Sequence, residues 1–382
     1  MKSLSSIFVL LSLSFTTIYG QAAKQLTDKL NIEFKKNVEL LGFAYFLGFE
    51  GQNIETKMME INGKLSPKKD WHNYGYAFYK EYKSCLTNED LNKAFMVADH
   101  LWLDVITSFL LQVDDFPNAH ITEDIPLTSY LSFSTTKDPI EARKNAEIFL
   151  EGLNNFYKAV DFDAYLAKNQ KHYDLAVQEI ESTLGDPKLI EHVEAFFQKS
   201  FQSYTLVPSL TVPKGMGFGI KMNDQQIYSV FGSLGWQEID DPNHLNMGFT
   251  NAQRLQELSI HEFGHSFCNP AVDLLPSGLI EQTDALYKPV AMSMANQGYM
   301  SWKASVYEHF VRASELIISK QYDTQEAYET LKQEYLEERK FIYIPTILEV
   351  LESYKEKGLT FEAAVEQSMI RLQEKMPVDS GE

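Results

Sequence analysis

The chain has 382 residues, 44% of them hydrophobic and 23% charged, with a formal net charge of −19. That apolar share is ample for one large core or two smaller ones, while the acidity excludes a nucleic-acid binder, because phosphate contacts need clustered Lys and Arg. Two cysteines, Cys85 and Cys268, are too few for a disulfide scaffold, although a bridge between them is permitted in an exported protein.

The first residues read as a secretory signal peptide over 1–20. Lys2 supplies the positive end, 7–15 a short apolar core, and 16–23 a polar stretch with small residues. Cleavage is expected after Gly20, with Ala22 as the second choice and an uncleaved anchor as the alternative. The apolar run is shorter than the ~20 residues of a membrane span. The segment 38–49 is also too short and contains Glu39. The mature chain is therefore expected to be exported, periplasmic or extracellular, with no transmembrane segment.

Periodicity then predicts a helical region. Helices are expected over 24–47 and over 88–113, where Thr87 and Asp90 have capping-box spacing. Others fit 139–159, 164–184 and 187–201. From Tyr204 the character changes to β-branched and aromatic residues broken by Gly and Pro. This predicts a strand pair with a turn at Asn223 and Asp224. Helices return over 251–268, 301–322, 324–339, 345–357 and 361–375, with Gly358 and Thr360 separating the last two. The expected fold class is α+β, mostly α, with a small sheet just before the helix at 251–268. A helical region over 21–200 would precede a second region over 201–382.

That helix carries the chemistry, in "SIHEFGHSFCNP" (259–270). Thr250 and Gln253 form a T-x-x-Q capping box at its start, and the proline after Asn269 is expected to end it. His261 and His265 are four apart, so both imidazoles lie on one face and can reach one ion at roughly 2.0–2.1 Å. Glu262 projects beside that ion, placed to take a proton from a bound water, which is the mechanics of H-E-x-x-H. Two histidines hydrogen-bonded in a core would give the same spacing. The flanking Leu258, Ser259, Ile260, Phe263, Gly264, Ser266 and Phe267 are all uncharged, as suits a helix at the floor of a cleft.

A hydrolytic zinc site normally has three protein ligands and one open position, and four residues are candidates for the third. Cys268 follows His265 by three, but three ligands from one straight helix strain a tetrahedral site. Asp273 comes just after the expected helix end. Asp284 lies in "QTDALY", faintly like a T-D-x-x-Y element whose glycines are missing. Glu308 lies in "SWKASVYEHFVRASELI", on a face with Ser305, Arg312 and Glu315. Without further context that face reads as a solvated stripe with an i, i+4 ion pair.

An H-E-x-x-H helix followed by a second helix carrying a glutamate resembles the gluzincin metallopeptidases. The words "HEFGHSFCNP" and "YEHFVRA" are similar to an uncharacterised family of exported bacterial proteins with a gluzincin-like site. The resemblance implies His261, His265 and Glu308 as Zn2+ ligands and Glu262 as general base. It departs from thermolysin-type enzymes at Arg312, where they carry an aspartate that orients a ligand histidine, so that orientation must come from elsewhere. The implied activity is that of an exported zinc peptidase acting on a peptide or protein, with zinc-activated water attacking the carbonyl. Tyr299 and His309 flank Glu308 and are the types that could stabilise an oxyanion, Tyr299 being the one retained. The edge strand of a gluzincin sheet binds the substrate backbone. In "GMGFG" (215–219) alternate glycines would leave one strand face bare for such an approach, or else form a flexible turn after Pro213. The alternatives are a non-catalytic peptide- or glycan-binding protein on the same scaffold, and a zinc amidase acting on a non-peptide amide.

Overall fold

The computed structural model describes residues 23–61, 64–184, 188–223 and 225–376. The expected leader over 1–20, the turn residue Asp224 and the helix start at Pro187 lie outside the described residues. The architecture is α+β and mostly α, with one five-stranded mixed sheet and one two-stranded sheet.

The strands are β1 (Ala23–Gln25), β2 (Leu30–Glu33), β3 (Met58–Ile61), β4 (Lys64–Pro67), β5 (Ser203–Pro208), β6 (Gly217–Lys221) and β7 (Gln226–Phe231). In the larger sheet they run β1-β2-β5-β7-β6. The middle three are parallel, and β1 and β6 are antiparallel edges. Strand β5 is buried from Tyr204 to Pro208 because both its faces are covered. Tyr204, Leu206, Ile227 and Phe231 face the main core. Val207, Val230 and Ile220 face the other way, into a smaller cluster with Val38 and Val212.

The helix expected over 24–47 is overturned in its first half. Leu30 and Ile32 alternate with half-buried residues and pair in register with β5, so tertiary pairing outweighs local helical pattern. The helix proper is Lys36–Tyr45. The segment 88–113 also divides, into Glu89–Met96 and Leu103–Leu110, with Trp102 extended between them. The first piece packs on Pro139–Ala159 and the second on Lys36–Tyr45, so one straight rod cannot serve both. Its cap is Asn88, whose Oδ1 accepts from the Leu91 N–H at 2.9 Å, rather than Thr87.

Pro139–Ala159 matches its expected bounds. Phe162–Thr183, Leu189–Phe197 and Phe361–Glu374 differ from theirs at the ends. The last is capped by Thr360 after Gly358 at φ 68°, a left-handed value that suits glycine. The helix expected over 324–339 is Gln325–Gln333, continued by a wider π turn, Glu334–Glu338. The hairpin of β3 and β4 was not foreseen. One core runs from Leu30 to Leu372, so packing is continuous across residue 200. Cys85 and Cys268 are free, so the permitted bridge is not formed. Among the described residues no helix is long and apolar enough to cross a membrane.

Candidate metal centre

The histidine helix, Ala252–Asp273, lies over β6 and β7 and packs along the glutamate helix, Trp302–Ser319. Its cap is Asn251, whose Oδ1 accepts from the Arg254 N–H at 3.0 Å, one residue after the expected Thr250. The proline stop is corrected too. Pro270 sits inside the helix, which runs on to Asp273. A proline there removes only one N–H from the ladder, and buried Ala271 and Val272 keep the extra turn packed.

The two helices bring His261, His265 and Glu308 together, with their ligand atoms all within 4.8 Å of one another. Glu308 Oε2 is 3.7 Å from His261 Nε2, and Oε1 is 3.3 Å from His265 Nε2. A tetrahedral ion with bonds of roughly 2.1 Å would hold its ligand atoms roughly 3.4 Å apart, so the spacing fits. Buried Glu308 Oε2 makes no hydrogen bond, since Arg312 approaches it at 3.1 Å as an ion pair outside hydrogen-bond alignment. A buried acceptor in that condition, facing two imidazole nitrogens, suits a bound cation.

The electrostatics agree with the geometry. Burial opposes the charge on Glu308, yet Arg312, His265 and His261 outweigh it and hold the carboxyl well below its usual range. Burial likewise opposes charge on His265, but Glu308 pushes it up to about 9. Both shifts show a pocket that favours positive charge between these groups. Buried Glu262 is raised, by desolvation first, with the two histidines working against the rise.

Each histidine is held from behind. His261 Nδ1 lies 3.1 Å from Glu315 Oε2, and His265 Nδ1 lies 3.3 Å from Asn269 Oδ1. These orienting groups escaped the sequence reading, although Glu315 is two turns beyond Glu308 and Asn269 one turn beyond His265. The face carrying Ser305, Glu308, Arg312 and Glu315 is not a solvated stripe but is buried. Tyr299 stands at the same cleft, its hydroxyl 3.5 Å from Arg312, and burial raises its phenol to about 12.

The other candidates lie elsewhere. His309 turns away, its Nδ1 2.7 Å from the Ser305 carbonyl and its ring against Phe341 and Tyr343. Buried Cys268 faces Ser314 at 3.7 Å. Asp273 binds Lys303 and Tyr307 on the surface. Asp284 is exposed on the short turn Asp284–Tyr287.

The cleft above these groups has a volume of about 600 Å³ and is walled on one side by β6. The bare face of that strand has a different use from the one expected. A Cβ on Gly219 would meet the Glu262 carbonyl oxygen at 2.0 Å, and one on Gly217 would meet Glu262 Oε1 at 2.9 Å. The backbone that approaches is the histidine helix itself. Among the described residues β6 pairs only with β7, and Gly217, Phe218 and Gly219 line the cleft, so its outer edge lies beside His261, His265 and Glu308.

Fold and site together define a mostly helical α+β protein whose buried His-His-Glu group could hold a metal ion. Residues 123–366 match the family described as a domain of unknown function (DUF4932), and the chain belongs to that family. No curated protein and no solved structure matches the chain.

Proposed function

We propose that the protein is an exported zinc-dependent peptidase of gluzincin type, acting on a peptide or protein in the periplasm or outside the cell. The observation that carries this reading is the convergence of His261, His265 and Glu308 with Glu262 beside them in one cleft. His261, His265 and Glu308 would hold the zinc, which when bound supplies a Lewis acid that acidifies water and polarises a carbonyl.

The chain's own groups do the rest. Glu262 accepts a proton from the attacking water and returns it to the leaving amine, a role that a raised carboxyl serves in both directions. Tyr299 donates to the developing oxyanion, with Arg312 fixing its hydroxyl. Glu315 and Asn269 hold the imidazoles so that each Nε2 faces Glu308, the arrangement that would hold the zinc. A site with only a structural role would have no use for Glu262.

The test is cleavage of a diverse peptide library together with metal analysis. Glu262→Gln is expected to keep about one zinc per chain and to lose roughly 10²- to 10⁴-fold in rate. A zinc-loaded wild type that cleaves no peptide would sink the reading.

A further inference from the structure

Three of the chain's five arginines, Arg254, Arg312 and Arg339, line the cleft, and no lysine does. Two of them are neutralised. Arg254 pairs with Glu257 at 3.4 Å, and Arg312 with Glu308 at 3.1 Å. Arg339 has no carboxylate within ion-pair distance among the described residues.

Arg339 is nevertheless held firmly. Its Nε donates to Gln297 Oε1 at 2.8 Å, and its carbonyl accepts from Gln297 Nε2 at 2.9 Å, so one glutamine fixes side chain and backbone together. Its guanidinium lies 5.5 Å from the Phe341 ring centre and 5.8 Å from that of Tyr335. The same two rings carry Arg312 at 4.8 Å. The guanidinium groups are thus neighbours, and Arg312 touches Glu308. The π turn Glu334–Glu338 closes on Arg339, whose N–H donates to the Glu334 carbonyl at 2.9 Å, and this places Tyr335 and Arg339 on the same cleft wall. Such turns recur at functional sites.

An oriented guanidinium with no counter-ion matches the planar fork of a carboxylate. The cleft's other acidic groups are committed elsewhere, Glu257 to Arg254 and Gln253, Glu315 to His261, Glu308 to Arg312 and the histidines, and Glu262 to the proton transfer proposed above, while Asp104 stands exposed at the rim. Arg339 is thus the one arginine of this cleft left without a carboxylate among the described residues. The net charge of −19 repels anions at long range, so recognition of one must be local.

We propose that Arg339 receives a substrate carboxylate, so that the cleft selects peptides presenting a free C-terminus or an Asp or Glu side chain close to the reacting bond. The inference rests on the peptidase reading for what is cleaved, but not for what is bound.

The experiment incubates the full chain carrying Glu262→Gln, zinc-loaded, with matched synthetic peptide pools and measures retention by ultrafiltration and mass spectrometry. One pool has free C-termini, a second is amidated, and each is made with Asp and Glu or with Asn and Gln. Carboxylate-bearing peptides should be retained roughly 10- to 100-fold better than neutral ones. Retention of amidated acidic peptides assigns the carboxylate to the side chain, and retention of free-acid neutral peptides assigns it to the C-terminus. Adding Arg339→Gln should abolish the preference. Arg339→Lys, which keeps the charge but not the fork, should lower it and serves as the test if the glutamine variant does not fold. Equal retention of acidic and neutral pools, or of none, overturns the proposal. Wild type that cleaves neutral amidated peptides as fast as acids leaves the peptidase standing without it. Retention through Arg339 with no cleavage by wild type does the reverse.

Discussion

Glu39 and Glu308 are both buried carboxylates, and their surroundings could hardly differ more. Glu39, on the helix Lys36–Tyr45, is surrounded by hydroxyls and backbone N–H groups. Tyr173 donates to its Oε2 at 3.0 Å, Thr211 approaches the same oxygen at 3.2 Å, and the Leu210 N–H reaches Oε1 at 3.3 Å. Glu308 is surrounded instead by Arg312 and two imidazoles. Desolvation dominates at Glu39 and raises it to about 7, whereas cations overcome the same desolvation at Glu308 and lower it. Burial alone does not make a metal site. A carboxylate left short of donors and faced by imidazole nitrogens is what could hold one.

The sharpest way to break this contrast is Glu308→Ala. Zinc content should fall from about one per chain to almost none, since two histidines from one helix leave a two-ligand site. Zinc retained at full occupancy would move the third ligand elsewhere, although Cys268, Asp273 and Asp284 all face away from the histidines. Glu39→Gln is the counterpart and should leave zinc untouched. Because the folded pKa of Glu39 lies above its ordinary 4.5, the native state binds the extra proton between about pH 4.5 and about 7. Stability is therefore full below that window and falls as pH rises through it, by roughly 3 kcal/mol in all if no other group compensates. Chemical denaturation across pH 4.5–8 should show that slope in the wild type and a shallower one in Glu39→Gln, the remainder coming from groups such as Glu257, which burial likewise raises to about 7. An unchanged slope would remove Glu39 as its source.

The same contrast explains what was legible beforehand. Local signals placed the helices Pro139–Ala159 and Trp302–Ser319, the latter capped by Ser301, and the i, i+4 pair of histidines. They failed where long-range pairing decides. Leu30 and Ile32 become a strand only because β5 lies beside them, 170-odd positions on in the sequence. The buried charged face of the glutamate helix read as a solvated stripe for the same reason. Glu308 pairs with Arg312, and Glu308 and Glu315 face the histidines across two helices, and no periodicity carries that information. The alternate glycines of β6 are legible in the sequence, but their close neighbour, the helix bearing Glu262, is not.

Smaller effects should grade the orienting groups. Glu315→Gln keeps an acceptor but removes the charge facing His261 Nδ1, and is expected to weaken zinc roughly 10- to 100-fold, as loss of such partners typically does. Competition with a chelator of known affinity measures this. An affinity equal to wild type would show that the 3.1 Å contact does not orient the ligand.

Asn269→Ala should rank last. Its Oδ1 lies 3.3 Å from His265 Nδ1, longer than the Glu315 contact, and it is neutral. A neutral hydrogen bond of this kind contributes roughly 0.5–1.5 kcal/mol, hence about a 2- to 10-fold loss of zinc affinity. His265 is also more exposed than His261, with side chains 17% and 11% accessible, so water can replace the amide at one histidine more readily than the carboxylate at the other. The order of the two variants is the informative result. If Asn269→Ala proves costlier than Glu315→Gln, the charge behind His261 is not what tunes the site, and the orientation of His265 at the cleft mouth is.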